Sequence, residues 1–120
     1  MNKLIAMAVP ILPGQTDHWH RFLDTLKGER LNEFKANREK LGVRERVFFQ
    51  QTPQGDMAIV TLEGNEPEAA FRRFAEGSDA FTRWFIDEVK SIHGFDLTSP
   101  PAGGMPELCV DSGEVSVSAY

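Results

Sequence analysis

The sequence predicts an α+β fold in which an antiparallel sheet is covered on one face by two helical regions. Three observations predict it: short apolar runs that suit strands, longer segments whose apolar residues recur every three or four positions, and breaks rich in Pro and Gly. The chain has 120 residues, the size of one domain with one core. Its 41% hydrophobic and 26% charged residues are typical of a globular protein.

The first strand and the first helix are indicated by two different apolar patterns. Residues 4–12 form a continuous apolar strand, which a Pro-Gly pair ends. A long helix is predicted to follow up to Gly42, with a kink near Gly28. Its buried stripe consists of apolar residues at helical spacing: Trp19, Phe22, Leu23, Leu26, Leu31, Phe34 and Leu41.

A hairpin and a second helical region come next. Residues 43–51 and 57–63 are predicted strands joined by a turn that contains Pro and Gly. A helix is predicted to begin at Asn65 and to break at Gly77, where Ser78 caps a further helix. The inner face of this region is formed by Ala70, Phe71, Phe74, Phe81, Trp84, Phe85, Val89 and Ile92.

The last predicted strand covers residues 107–111, after a stretch rich in Pro and Gly. The order of elements is then strand, helix, strand, strand, helix, strand, which is the ferredoxin-like βαββαβ pattern. We assign this domain to residues 1–111 and a C-terminal tail to residues 112–120.

The strands also predict an assembly. The apolar runs at residues 4–9 and 57–60 do not alternate with polar residues, so both faces of the sheet should be buried. Two helical regions can cover one face only. A homodimer in which sheet packs on sheet in a barrel-like core would cover the other. The alternative is a monomer whose C-terminal tail folds over the open face.

Composition excludes several classes of function. A net charge of −5 without a basic stripe excludes a general nucleic-acid binder and a protein that docks on anionic membranes. The N-terminal apolar run is too short to span a bilayer and lacks a cleavage region, so we predict a cytoplasmic protein. Cys109 is the single cysteine, which excludes an internal disulfide, and no base beside it supports a nucleophilic role.

The histidines do not predict a metal site. His18 and His20 would point about 200° apart on a helix, so they cannot share one ion. His93 lies at the end of another helix. We therefore expect no metal and no cofactor, and two surface histidines at 18 and 20. His20 lies at the edge of the apolar stripe, where it could contact a ligand or move a proton.

Glu88 is the strongest single anomaly, because it lies on the aromatic stripe of the last helix. Desolvation there would make it a candidate general acid or base. The alternative is a structural ion pair with an arginine such as Arg30 or Arg38, or a side chain that reaches water. Both roles stay open at this point.

Four further side chains are candidate ligand contacts. Arg38 could hold an anionic group, and Trp19 and Trp84 could form the walls of a pocket, although tryptophans at helical spacing are more often core. Arg30 and Asn37 fall near the centre of the apolar stripe. A helix break near Gly28 would shift them away, whereas an unbroken helix would turn them into the cleft.

Several segments resemble an uncharacterised bacterial family in the dimeric α+β barrel superfamily. They are the hairpin at residues 47–56 and the segments at 80–85, 92–97 and 105–108, and the similarity covers roughly residues 3–111. The resemblance implies the ferredoxin-like fold and the dimer. Superfamily members include cofactor-free monooxygenases, haem-degrading enzymes, muconolactone isomerases and ligand-binding stress proteins, whose ligands lie between sheet and helices. The resemblance itself implies no catalytic residues.

Two functions follow from these expectations. The first is binding of a small hydrophobic or aromatic molecule in the sheet–helix cleft of a homodimer, without chemistry. The second is a cofactor-independent monooxygenase- or isomerase-like enzyme that uses the same cleft, with Glu88 or His20 moving a proton. A fold alone cannot separate them.

Overall fold

A computed structural model describes residues 2–99 and 103–113 of the chain. Within these residues the protein is α+β, with a three-stranded antiparallel sheet and four helices. No helix of the described residues is long and apolar enough to cross a membrane. The elements in chain order are β1 (Lys3–Pro10), α1 (Thr16–Lys27), α2 (Leu31–Leu41), β2 (Val43–Thr52), β3 (Gly55–Gly64), α3 (Pro67–Ala75) and α4 (Ala80–His93).

The sheet has the order β1-β3-β2, with β3 in the centre. Val60 of β3 is paired with Met7 on one side and with Val47 on the other. Because side chains alternate along a strand, these three residues share the face that packs against the helices. The core lies between that face and the helices and contains Ile11, Trp19, Phe22, Leu26, Ala58, Phe74, Phe81, Phe85, Val89, Ile92 and Leu97.

The long first helix divides into α1 and α2, as the kink near Gly28 predicted. The amide groups of Gly28 and Arg30 both bond to the Thr25 carbonyl, so the helical hydrogen-bond ladder stops there. A Cβ at Gly28 would lie 3.0 Å from the Asp24 carbonyl oxygen, which favours glycine at this turn. The break shifts the phase of α2 and turns Arg38 into the core.

Two predicted helix starts were wrong. Asp79, not Ser78, caps α4: its carboxylate accepts from the Thr82 amide at 3.1 Å and from the Thr82 hydroxyl at 2.8 Å. These bonds hold the pKa of the Asp79 carboxyl below its usual range. The N-terminal flanking residue of α3 is Glu66 rather than Asn65, because Pro67 takes the first helical position.

The hairpin of β2 and β3 is tighter than predicted. Thr52 pairs with Gly55, so only two residues form the loop, and the Thr52 hydroxyl donates to the Gly55 carbonyl at 2.7 Å. Gly55 has a φ of 130°, which a residue with a side chain rarely adopts. This loop carries β3 back along β2 over its whole length.

The predicted last strand does not form. Residues 107–111 are exposed and belong to no strand, and Val110 is 84% exposed. The segment carries only two large aliphatic side chains after a stretch rich in Pro and Gly, so pairing it would bury little apolar surface. In the described residues the sheet therefore ends at β1, and the sixth element of the predicted pattern is absent.

The outer face of the sheet is partly apolar and lacks a covering layer among the described residues. Phe48 is 54% exposed and Leu4 is 42% exposed, while Ile59 is half-buried between neighbours. Ala6 and Ala8 extend this apolar surface along β1. Arg46 and Glu63 form an ion pair at 2.8 Å on the same face and make one end of it polar.

Candidate functional site

A cavity of about 90 Å³ lies between the inner face of the sheet and the helices. Its wall is mainly apolar and takes residues from all three strands and all four described helices. Aromatic rings form much of it: Trp19, Phe22, Phe71, Phe74, Phe85 and Phe95. A concave apolar site with few polar groups is the arrangement that small-molecule ligands favour.

The first polar feature of the wall is an ion pair between α2 and β2. The Nε of Arg38 donates to Glu45 Oε1 at 2.7 Å, and both side chains are at most 10% exposed. The turn at Gly42, with a φ of 75°, reverses the chain so that these two residues meet. Asn37 Oδ1 accepts from Nη1 of the same guanidinium.

Aromatic rings enclose the guanidinium of Arg38. Its Cζ lies 4.4 Å from the ring centre of Phe74, 4.9 Å from Phe85 and 5.0 Å from Phe34. A planar, weakly hydrated guanidinium stacks on rings in a way that an ammonium does not. Among the described residues Nη2 of Arg38 makes no hydrogen bond, so donors remain beside the cavity.

The second polar feature of the wall is His93, the last residue of α4. Its Nδ1 donates to the Pro10 carbonyl at 2.8 Å, and the adjacent Leu12 amide donates to the Ile92 carbonyl at 2.9 Å. The end of β1 therefore holds the end of α4 in place. Burial lowers the pKa of His93 below its usual range, although the bond to Pro10 opposes this shift.

A separate polar groove lies between α1 and α4. It has a volume of about 290 Å³ and is lined by His18, Arg21, Phe22, Thr25, Glu29, Arg30, Trp84 and Glu88. Nε2 of His18 is hydrogen-bonded to the Glu88 carboxylate, and its Nδ1 lies 3.1 Å from Gln15 Oε1. Arg30 stacks on Trp84 with its Cζ 4.6 Å from the ring centre.

Glu88 has a histidine as its partner, and not an arginine, which was one of the alternatives left open by the sequence. Arg30 instead bonds to Glu33 at 3.1 Å and Arg38 to Glu45, so neither reaches Glu88. Both nitrogens of His18 are occupied by oxygen partners. The pair joins α1 to α4, and His18 is half-buried, whereas a surface position was predicted for it.

The structure divides the six predicted site residues between three places. Arg38 and Trp19 line the cavity, and Asn37 supports Arg38. Glu88 and Trp84 line the groove. His20 is exposed and packs on the rings of Trp19 and Phe49, with ring centres 5.0 and 5.2 Å apart.

Sequence reasoning missed two polar residues of the cavity, Glu45 and His93. A signal for Glu45 existed, because it lies between Val43 and Val47 on the inward positions of an alternating strand. His93 had no such signal, since its contact with Pro10 joins residues 83 positions apart.

No metal centre is assembled in residues 2–99 and 103–113: no three side chains of His, Cys, Asp or Glu converge there.

Comparison with family models, curated proteins and solved structures finds no match to this chain.

We expect Arg38→Met to lower the free energy of unfolding by about 3–5 kcal/mol, because it leaves the Glu45 carboxylate buried without a partner. Arg38→Met combined with Glu45→Leu should recover most of the loss. The matched control is Arg46→Met, whose exposed pair with Glu63 should contribute only about 0–1 kcal/mol. Urea unfolding followed by circular dichroism measures all three. Equal losses in Arg38→Met and Arg46→Met would contradict the buried pair.

We expect acid to destabilise the protein through His93. Its folded-state pKa lies below the value of about 6.5 of the unfolded chain, so the unfolded chain binds the proton first as pH falls. The contribution of neutral His93 to the free energy of unfolding is complete above about pH 6.5. It is lost as pH falls toward the lower folded-state pKa. His93→Asn keeps a donor for Pro10 and cannot be protonated. Urea unfolding between pH 7.5 and 5 should show a shallower pH dependence for this variant, and an unchanged slope would refute the assignment.

Proposed function

We propose that this protein binds a small hydrophobic or aromatic molecule in the sheet–helix cavity of a homodimer. The observation that carries the proposal is the cavity itself, with aromatic walls and only a few polar groups at fixed positions. Its volume of about 90 Å³ is well below the 300–1,000 Å³ of ordinary ligand pockets. The ligand is therefore small, with about one ring.

The outer face of the sheet supports the homodimer. Phe48, Ile59, Ala6 and Ala8 leave an apolar surface on the side away from the helices. Thr61 Oγ1 is buried on this face and has no hydrogen-bond partner among the described residues. A second copy that packs sheet on sheet would cover the apolar side chains and bring groups within reach of that hydroxyl.

The proposed homodimer and its cavity are also features of the dimeric α+β barrel superfamily that the sequence resembles. The β1-β3-β2 order with helices on one face is compatible with the ferredoxin-like fold of the dimeric α+β barrel superfamily. The assignment to that superfamily, and the cytoplasmic location, remain predictions from the sequence.

The second candidate function is a cofactor-independent monooxygenase- or isomerase-like enzyme that uses the same cavity. Neither Glu88 nor His20 lines the cavity. Proton transfer there would fall to His93, because burial keeps the pKa of His93 low and its neutral ring accepts a proton. The lining of the cavity therefore favours His93 over Glu88 and His20 as the group that moves a proton.

Toluene is a suitable probe of the cavity. We expect it to bind to the wild-type protein in calorimetry and to lose its site in Ala58→Leu, because Ala58 is 1% exposed and lines the cavity. Ala70→Leu fills the same space from α3. The matched control is Ala36→Leu on the exposed side of α2, which should bind toluene as the wild type does. Binding that survives both cavity-filling changes, or no binding to the wild type, would refute the proposal.

Sedimentation equilibrium tests the dimer. At micromolar concentration the mass should be twice the 13.5 kDa of one chain. Ile59→Asp places a charge in the proposed interface and should shift the protein toward monomer. Val110→Asp, at an 84% exposed position, is the control that should leave the mass unchanged. Met7 is unsuitable for this test because it faces the cavity. A wild-type monomer at all concentrations would exclude the dimer.

A further inference from the structure

His93 is held in one tautomer by its surroundings. A main-chain carbonyl can only accept a hydrogen bond, so the nitrogen facing the Pro10 carbonyl carries the proton. In the neutral ring the other nitrogen, Nε2, then has a lone pair and is an acceptor. The bond between Leu12 and Ile92 fixes the backbone beside it, so the orientation of the ring is set before any ligand arrives.

Nε2 of His93 has no hydrogen-bond partner among the described residues. The ring lines a cavity whose other walls near α4 are apolar, including Val89, Phe95 and Leu97. Nε2 is not among the buried side-chain atoms that lack a partner, so it lies at an accessible surface of the ring, where a donor can reach it. Because the ring is partly buried and its protonated form is disfavoured, it is suited to accept from a neutral donor.

The other polar group of the cavity wall is placed differently. Pro10, which binds His93, lies on β1 opposite Met57 of β3. Glu45, which binds Arg38, lies on β2 opposite Leu62 of β3. Pro10 and Glu45 are therefore on opposite edge strands and five residues apart along β3. That corresponds to a separation of about 20 Å across the sheet. Arg38 is already neutralised by Glu45. The two polar groups therefore serve different parts of the cavity.

We infer that His93 Nε2 accepts a hydrogen bond from a hydroxyl group of the bound molecule, so that the cavity selects a small hydroxylated aromatic compound of the phenol class. The aromatic walls match the ring of such a compound, and the lone pair of Nε2 matches its hydroxyl. This inference rests on the proposed function and adds the chemical class of the ligand. It also assigns a binding role to a residue outside the original set of candidates.

Phenol and toluene test the inference as a pair, because they differ in one group of similar size. Calorimetry gives the ratio of their affinities for the wild type, His93→Asn and His93→Gln. Asn keeps the donor to Pro10 but has no atom at the position of Nε2, whereas the longer Gln places an amide oxygen near it. We expect the preference for phenol to fall about two- to tenfold in His93→Asn, the range of one hydrogen bond. His93→Gln should restore part of it.

The outcomes separate the two proposals. If toluene binds to all three proteins but the ratio does not change in His93→Asn, the role of His93 is wrong and the cavity remains a binding site. If neither compound binds to the wild type, the proposed function and this inference both fail. A reduced ratio in His93→Asn with an unchanged affinity for toluene supports both.

Discussion

The buried ion pair between Arg38 and Glu45 is the interaction on which the cavity depends. Removing two charges from water costs several kcal/mol each, so the pair is tolerable only with good geometry and further partners. The structure supplies both: a 2.7 Å bond to Glu45, a bond to Asn37 and aromatic rings from α2, α3 and α4 around the guanidinium. Three helices and one edge strand must therefore keep their positions together. Arg38, Glu45, Phe74 and Phe85 also line the cavity, so the same contacts fix part of its wall.

In the described part of the chain the helices all pack on one side of the sheet, so one face of the sheet is covered and the other is not. The inner face has apolar partners from every described helix, whereas nothing in residues 2–99 and 103–113 covers Phe48 and Ile59 on the outer face. Residues 107–111 extend the sheet no further. Strands as apolar as β1 and β3 are common where both faces are buried. This surplus of apolar side chains is the surface that the proposed homodimer would cover.

The sequence predicted those parts of the fold that local patterns determine. The stripe of Trp19, Phe22 and Leu26 and the break at Gly28 follow from periodicity and from one glycine, and both are present. The candidate site was predicted less well, since only Arg38 and Trp19 of the six candidate residues line the cavity. The partners of Glu88 and His93 come from elements 70 and 83 residues away, and no local pattern encodes such distances. Helix phase places a side chain on a face but does not identify what lies opposite.

The contrast between His18 and His93 shows how the environment distinguishes two histidines that look alike in the sequence. His18 has an oxygen partner at each nitrogen, from Gln15 and Glu88, so its ring is fully used in joining α1 to α4. His93 uses one nitrogen to fix its orientation against Pro10 and keeps the other without a protein partner in the described residues. A ring satisfied on both sides stabilises a helix pair and has nothing left to offer a ligand. A ring anchored on one side, in the wall of an apolar cavity, offers an acceptor whose direction is already set. Because Nε2 of His93 lies at an accessible surface, a hydroxyl group of a bound molecule can donate to it without any rearrangement of the ring.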